Sequence, residues 1–302
     1  MRNNSAKRLS TNLVKLLLKI ILLLISVSSI TSLRSLVFVG DNGGYDAAQG
    51  FGFYPMNFLK AVFRTFSHLF TLYDSTFTYY GIVYDVFPYI VDKYLYTMSI
   101  LFSALVITIV VSFFFSFVYL FFSRQLKRMF KILLLVADSI PDIIIILVSQ
   151  LLVIRLYQAT GFKILKLYGI GNNIYLLPII CLSLVPIVMV NKIMIKIFEE
   201  EIEEQYVEFA FSKGLSRSTV FLKHVVRNVM KSLYSHISLI YLYMLSSLFV
   251  IEYLFQIKGF TLLLYRISDS SLNSVAMILI LIPFGLLKAA SFRFYERRVL
   301  NE

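Results

Sequence analysis

A polar island separates two long apolar runs in the second half of the chain: Gln205–Arg227, QYVEFAFSKGLSRSTVFLKHVVR. Acidic residues precede it in Phe198–Glu204, FEEEIEE, and acidic side chains are favoured where a helix begins. Gly214 is placed to end that helix, because glycine takes the left-handed conformation cheaply. Ser216 or Ser218 can then cap a second helix. The island therefore predicts a helix, a glycine turn and a second helix, which together can fit a groove on a soluble partner.

Both predicted helices of the island carry apolar side chains at helical spacing. In the first helix, Val207, Ala210 and Phe211 fall on one stripe before the glycine. The second helix runs through Val220 and Val225 towards the next apolar run. The island is thus predicted to sit at a membrane face, held by the apolar runs on either side of it.

Composition places the chain among membrane proteins. Hydrophobic residues make up 59% of it and charged residues 15%, whereas soluble domains carry about 25% charged residues. Six apolar runs approach or exceed the roughly 20 helical residues that cross a hydrocarbon core, and they are continuous rather than alternating, which excludes barrel strands. The predicted fold is all-α and polytopic with six transmembrane helices: Leu13–Ser32, Leu95–Phe122, Ile132–Ile154, Ile174–Ile197, Leu233–Ile251 and Val275–Phe292.

Lysine and arginine cluster in four segments: the amino terminus, the stretch after the second run, the island and the carboxyl terminus. Basic loops stay in the cytoplasm, so both termini are predicted to be cytoplasmic. The net charge of +12 is therefore a topology signal, and we expect no nucleic-acid partner. The first apolar run is too long for a cleaved signal peptide, and a retained anchor is predicted.

Three parts follow along the chain: residues 1–33 with the first span, an extracytoplasmic segment over 34–94, and a five-helix core over 95–302 that contains the polar loop 199–231. The middle part shows apolar residues at helical spacing, with Lys60, Arg64 and Ser67 opposite. This pattern predicts a helix lying in the membrane interface, or alternatively one packed on the protein's own outer loops. Its apolar residues are Phe58, Leu59, Val62, Phe63, Phe66, Leu69 and Phe70.

No enzymatic motif is present. Cys181 is the single cysteine, so neither an intrachain disulfide nor a cysteine metal site can form. The three histidines are scattered, and neither H-E-x-x-H nor G-x-S-x-G occurs. The chain also lacks a G-x-x-x-x-G-K-[ST] loop, so it cannot hold nucleotide phosphates in that way. We expect no catalytic residue, no metal and no cofactor.

The island resembles a known family. The inner-membrane permease subunits of ATP-binding-cassette importers carry a cytoplasmic EAA motif, and their oligopeptide/dipeptide/nickel branch has approximately YV-x-x-A-x-x-KG-L-S followed by H-x-x-RN. This chain has the same order and spacing through Tyr206, Val207, Ala210, Lys213, Gly214, Leu215, Ser216, His224, Arg227 and Asn228. The segments Ser139–Asp142, Leu177-Pro178 and Ile251–Phe260 are also similar to the family. The resemblance covers roughly residues 95–295.

The resemblance implies a type I importer permease in which partners hydrolyse ATP. A second permease subunit, making a heterodimer, two cytoplasmic ATPases and an extracytoplasmic substrate-binding lipoprotein are the implied partners, and a bacterial inner (cytoplasmic) membrane is the implied location. Peptides are the implied cargo, with nickel or a metal chelate as the alternative. The implied ATPase-coupling residues are Glu204, Tyr206, Val207, Glu208, Ala210, Lys213, Gly214, Leu215, Ser216, His224 and Arg227.

Ionisable residues inside the predicted spans are the candidates for a translocation path or gate, since they are costly in lipid. Asp138 and Asp142 are four residues apart in the predicted third span, hence on one helical face, with Asp142 near mid-membrane. They suit a peptide amino terminus or a cationic cargo. In the alternative interpretation they are satisfied by neighbouring Ser or Asn, or by Lys192 or Lys288. Ser139, Pro141 and Glu252, the last near the outer end of the fifth span, complete the candidates.

Two other functions stay open at this point. A proton-coupled secondary transporter could use Asp138 and Asp142, but it would predict inverted repeats, which are not apparent. A non-transporting scaffold or sensor subunit with the same fold is suggested by the bulky second span, SFFFSFVYLFF, and by the region around Lys258.

Overall fold

The structure, a computed structural model, describes residues 18–19, 21–37, 52–69, 76–79, 82–161, 166–169, 173–266 and 270–299. The helices are α1 (Ile21–Thr31), α2 (Pro55–His68), α3 (Val86–Tyr119), α4 (Arg124–Asp138), α5 (Asp142–Thr160), α6 (Leu176–Ile202), α7 (Gln205–Ser212), α8 (Arg217–Val220), α9 (Val226–Leu254), α10 (Phe260–Arg266) and α11 (Ser270–Val299). A short antiparallel hairpin, β1 (Thr76–Tyr79) and β2 (Ile82–Asp85), precedes α3. The fold is therefore mostly helical.

Within the described residues, five helices are long and apolar enough to cross a membrane: α3, α5, α6, α9 and Leu272–Ala289 of α11. The apolar helix α1 lies where the first span is expected and is shorter. Part of that expected span, residues 13–17 and 20, lies outside the described residues. The chain is a multi-pass membrane protein by these helices.

The predicted third span, Ile132–Ile154, is wrong as one continuous helix. The helix α4 ends at Asp138 and α5 begins at Asp142, with Pro141 in an extended conformation between them (φ −59°, ψ 140°). Proline has no N–H to continue a helix, and it disfavours helical geometry at the preceding residue. The break leaves α4 as an amphipathic helix and α5 as the span.

The chain divides into two compact units, Met1–Tyr94 with Leu263–Pro283, and Leu95–Leu262 with Phe284–Glu302. In the second unit, α6 and α9 form the central packed pair. The buried side chains of α6 include Val190, Met194 and Phe198, and those of α9 include Ile240 and Met244. This pair supports the polar loop, because the loop connects the end of α6 to the start of α9.

Ion pairs fix α4 against α6. Lys131 lies 2.9 Å from the Glu199 carboxylate, and Lys192 lies 2.6 Å from the Asp138 carboxylate. The two ion pairs are separated by seven residues on each helix. Their order along α4 is the reverse of their order along α6, so the two helices are antiparallel. At about 1.5 Å per residue, Lys192 lies about 15 Å from the carboxyl end of α6. Because Lys192 pairs with Asp138, the last residue of α4, the α4–α5 break lies beside the interior of α6 rather than beside its end.

Candidate functional site

The helix α7 of the island ends in a Schellman turn built on Gly214. The φ angle of Gly214 is +77°. The N–H of Leu215 donates to the Ala210 carbonyl at 3.4 Å, and the N–H of Gly214 donates to the Phe211 carbonyl at 2.9 Å, which are the two bonds that define this motif. Among the described residues, no atom lies within 4 Å of where a Cβ would stand on Gly214. Glycine is therefore needed for its backbone conformation, and the predicted C-cap is confirmed.

The second helix of the island begins at a serine cap. The Ser216 hydroxyl accepts from the Thr219 N–H at 3.4 Å, and the Ser216 carbonyl accepts from the Val220 N–H at 3.1 Å. Of the two serines that the sequence offered, Ser216 is the cap. The helix then passes through one π-helical turn, Phe221–Val225, and continues into α9. A displacement of the island can therefore reach the span along one helical rod.

A hydrogen-bond network joins α7 to both spans. One carboxylate oxygen of Glu201, at the end of α6, accepts from the Tyr206 hydroxyl at 2.6 Å and from the Asn228 side-chain amide at 2.7 Å. Lys231 in turn donates to the Asn228 side-chain oxygen at 3.3 Å. Burial, followed by the bond to Glu201, raises the pKa of Tyr206 to about 12. Tyr206 is therefore a permanent donor at neutral pH that holds the start of α7.

One face of α7 is buried and the opposite face is exposed. Two residues of the predicted stripe, Val207 and Ala210, are buried, whereas the third, Phe211, is 39% exposed. Phe211 lies at the edge of this buried side, and Phe209 lies on the opposite face of the helix. Phe209 is 60% exposed and carries Lys213 above its ring, 4.3 Å from the centroid. The outer face is thus aromatic with a positive charge beside it.

The structure also locates most of the other predicted coupling residues. Glu204 lies just before α7 in an extended conformation and makes no side-chain cap bond to it. Glu208, Leu215 and Arg227 are exposed. The side chain of His224 lies outside the described residues.

A second acidic residue that joins neighbouring helices is Glu199, two residues before Glu201 on α6. Glu199 accepts a hydrogen bond from the Tyr119 hydroxyl at 2.6 Å and from Lys131 at 2.9 Å. The bond to Glu199 raises the pKa of Lys131. The acidic run at the end of α6 therefore fastens α3 and α4 through Glu199, and α7 and α9 through Glu201.

A cavity of about 290 Å³ lies at the α4–α5 break. It contains the predicted path residues Asp138, Ser139, Pro141 and Asp142. The prediction that Asp138 and Asp142 share a helical face is wrong, because the break places them on different helices. The cavity nevertheless brings them together, and its other lining residues are Ile140, Val185, Met189 and Tyr243.

The two aspartates of this cavity have different partners. Asp138 pairs with Lys192, one of the two lysines that the sequence suggested. Asp142 accepts from the Tyr243 hydroxyl at 2.9 and 3.0 Å and from the Ser247 hydroxyl at 2.7 Å, both on α9. Two carboxylates and one lysine leave the group one negative charge in excess. The arrangement can accommodate a positively charged group.

Glu252 is fully buried and holds the segment that follows α9. Its carboxylate accepts from the Thr97 hydroxyl at 2.5 Å, from the Thr261 hydroxyl at 2.7 Å and from the Leu262 N–H at 2.9 Å. Thr97 in turn accepts from the Phe260 N–H at 2.8 Å. Glu252 therefore caps the start of α10 from eight residues upstream and ties it to α3.

Gly259 makes room for that carboxylate. A Cβ at Gly259 would overlap the carboxyl group of Glu252. This packing gives a physical reason for the spacing of the glutamate and the glycine in Glu252-x-x-Phe255-x-x-x-Gly259. The pair is a steric unit, and neither residue can be understood alone.

Sequence reasoning missed several residues that complete these sites. Glu201 was visible only as one of five acidic residues, and no periodicity distinguishes it from its neighbours. The partners from distant helices could be found only once the helices were packed. They are Thr97, Tyr119, Tyr243, Ser247 and Thr261.

Comparison with known proteins relates this chain to a protein family and to a known fold. Residues 109–301 match the family described as binding-protein-dependent transport system inner membrane component. A chain from inward-facing structures of the MetNI methionine ABC transporter aligns with a TM-score of 0.55 and 14% sequence identity, over 69% of this chain and 95% of that chain. At this identity the likeness concerns the fold alone. No curated protein matches the sequence. With more than half of its length matched, the chain belongs to the family of binding-protein-dependent transport system inner membrane components, and it is a permease subunit of an ABC importer with the type I permease fold.

Proposed function

We propose that the chain forms the translocation path of an importer for oligopeptides or dipeptides, paired with a second, different permease subunit. Two cytoplasmic ATPases and an extracytoplasmic binding lipoprotein complete the assembly in a bacterial cytoplasmic membrane, with both termini of this chain in the cytoplasm. The observation that carries this proposal is α7: hydrogen bonds through Glu201 fix its start to α6 and α9, while Phe209 on its outer face is 60% exposed.

The proposed coupling residues divide into two groups. Tyr206, Val207, Ala210, Gly214 and Ser216 shape the island and fix it to the spans. A second group presents charge and apolar surface to the ATPase. It comprises Glu204, Glu208, Lys213, Leu215 and Arg227, and His224 is the remaining proposed coupling residue. ATP-driven closure of the ATPases then moves α7 and, through the continuous helix, α9, which switches the path between its two openings.

The cavity at the α4–α5 break supports peptide cargo. Asp142 offers a carboxylate held by two hydroxyl groups, and a peptide carries a protonated amino terminus. Transporter sites are commonly built at helices that break inside the membrane. We propose that Asp138, Ser139, Pro141 and Asp142 line the path and that Glu252 shapes one end of it as part of a gate.

Co-purification from the native membrane tests the coupling role. The variant Phe209→Glu changes an exposed side chain, so it spares the packing of α7. We expect the variant to keep its permease partner and to lose the ATPases, as identified by mass spectrometry. Val83→Glu, an exposed site in the β-hairpin, is the matched control and should keep both. ATPases that stay with Phe209→Glu would contradict the proposed docking face.

Uptake by the purified complex in vesicles tests the cargo. We expect ATP-dependent uptake of a labelled peptide, with competition by unlabelled peptides and none by nickel. Asp142→Asn should weaken uptake of peptides with a free amino terminus and spare peptides that are acetylated there. Uptake driven by a proton gradient without ATP would contradict the proposal, and nickel uptake would reassign the cargo.

A further inference from the structure

The helix α2 is attached to the carboxyl end of the apolar helix α1. The N–H of Tyr54, just before α2, donates to the Leu36 carbonyl at 2.8 Å. The hydroxyl groups of Ser32 and Thr65 lie 3.3 Å apart and are buried. These bonds hold α2 at the level where the apolar helix ends. In a membrane protein this level is the boundary between hydrocarbon and headgroups.

The outward side of α2 has an apolar edge and a basic edge. Met56, Leu59 and Phe63 recur at helical spacing and are 64%, 61% and 75% exposed. Lys60 and Arg64 are exposed along the neighbouring edge. The sequence pattern assigned all the apolar residues of this helix to one face. In the structure, Phe58, Val62 and Phe66 face the protein, whereas Leu59 and Phe63 are exposed. One side of α2 therefore packs on the protein, and the opposite side is exposed.

The apolar edge continues an apolar surface that begins on α1. Leu22, Ile25 and Ile30 of α1 and Leu33 of the following turn are exposed large apolar residues, as is Phe53 just before α2. A helix with an apolar face and a basic face lies in the interface plane, with lysine and arginine reaching the headgroups. Basic residues at this level attract anionic lipids.

We propose that α2 is an interfacial anchor: Met56, Leu59 and Phe63 insert beneath the headgroups of the bilayer, and Lys60 and Arg64 bind the phosphates of anionic phospholipids. The proposal rests on the chain being a membrane protein and is independent of cargo and of ATPase coupling. Its occupant is the bilayer rather than another protein, because the apolar edge prolongs the exposed apolar surface of the apolar helix α1.

The absence of tryptophan from the sequence gives a direct depth measurement. Phe63→Trp places the only tryptophan of the full chain on the apolar edge, and Phe58→Trp places it on the inward side as the matched control. In reconstituted vesicles, lipids brominated on their acyl chains should strongly quench Trp fluorescence from the first variant and quench the second less. Quenching of the first variant by aqueous iodide instead would overturn insertion. Protection from both quenchers would mean that protein covers the edge, and would overturn the proposal too.

The headgroup half of the proposal has its own test. In the Phe63→Trp background, adding phosphatidylglycerol to phosphatidylcholine vesicles should increase acyl-chain quenching, and salt should reduce the increase. The double change Lys60→Gln and Arg64→Gln should abolish the dependence on phosphatidylglycerol, whereas Lys258→Gln, an exposed lysine outside α2, should keep it. An unchanged dependence in the double variant would overturn the assignment of these two residues.

Discussion

Gly259 and Glu252 show how one missing side chain supports a buried charge. Carboxylates are rarely left buried unless hydrogen bonds satisfy them, and here two hydroxyl groups and one backbone N–H do so. The sequence pointed to both residues through their spacing. It could not point to Thr97, which lies 155 positions from Glu252 and meets it only after α3 and α9 pack together.

Gly259→Ala is expected to destabilise the protein, because the added methyl group overlaps the Glu252 carboxyl. Overpacking of this kind costs about 1–3 kcal/mol, measurable as a lower melting temperature of the purified protein. Gly285→Ala is the matched control, since among the described residues no atom lies within 4 Å of its added Cβ. The same substitution in a Glu252→Ala background should cost less, and equal costs in both backgrounds would refute the steric pairing.

At the scale of elements, the polar island was the most predictable part of the chain. Its glycine turn and its serine cap follow from local chemistry, which a sequence displays directly. The broken third span did not follow, because hydrophobicity alone continues across Pro141 and only the proline marks the break. The exposure of Phe211 also escaped prediction, since an eight-residue helix leaves its rotation to tertiary packing.

The Tyr206 bond to Glu201 predicts a specific alkaline behaviour. The pKa of Tyr206 is raised to about 12, so its contribution to stability is complete below the ordinary tyrosine value of about 10. This contribution is lost as the pH rises from about 10 to about 12, because tyrosine in the unfolded chain releases its hydroxyl proton at a lower pH than Tyr206 does in the folded protein.

Tyr206→Phe should therefore lower stability near neutral pH and lose the part of the alkaline slope between pH about 10 and about 12 that belongs to this residue. The difference from the parent protein matters, since the chain has 20 tyrosines. Identical slopes for Tyr206→Phe and the parent would contradict the assignment.

The Asp138–Lys192 pair between α4 and α6 predicts an asymmetry among variants. Both side chains are only half-buried, but removing Lys192 alone leaves the Asp138 carboxylate beside that of Asp142 without its counter-charge, whereas removing both charges does not. Lys192→Met should therefore lower the melting temperature more than the double variant Lys192→Met with Asp138→Asn. Lys196→Met, from a mostly exposed pair with Glu200, should have little effect. A double variant less stable than Lys192→Met would contradict this account.

For the whole molecule, composition was sufficient to predict a helical membrane protein, because bilayer thickness fixes how long an apolar run must be. Orientation rests on the distribution of basic residues and can be measured with cysteine labelling. Replacing the buried Cys181 by serine gives a background free of cysteine. Glu208→Cys, exposed on α7, should then react with a membrane-impermeant maleimide only in opened cells.

Val83→Cys, exposed on the β-hairpin, should react with the same reagent in intact cells once any outer barrier is removed. The opposite pattern for the two sites would invert the proposed topology. Labelling of both in intact cells would contradict their placement on opposite sides of the membrane.

The unbroken helix α9 can also be considered as a lever. Tyr243 and Ser247 meet Asp142 part of the way along it, which gives a natural fulcrum. The arm from Val226 to Tyr243 is about 26 Å and the arm from Tyr243 to Leu254 about 16 Å at 1.5 Å per residue. If this contact holds while the ATPases close, the Glu252 end swings opposite to the island and through the smaller arc. Spin labels on the two ends would register that reversal of direction.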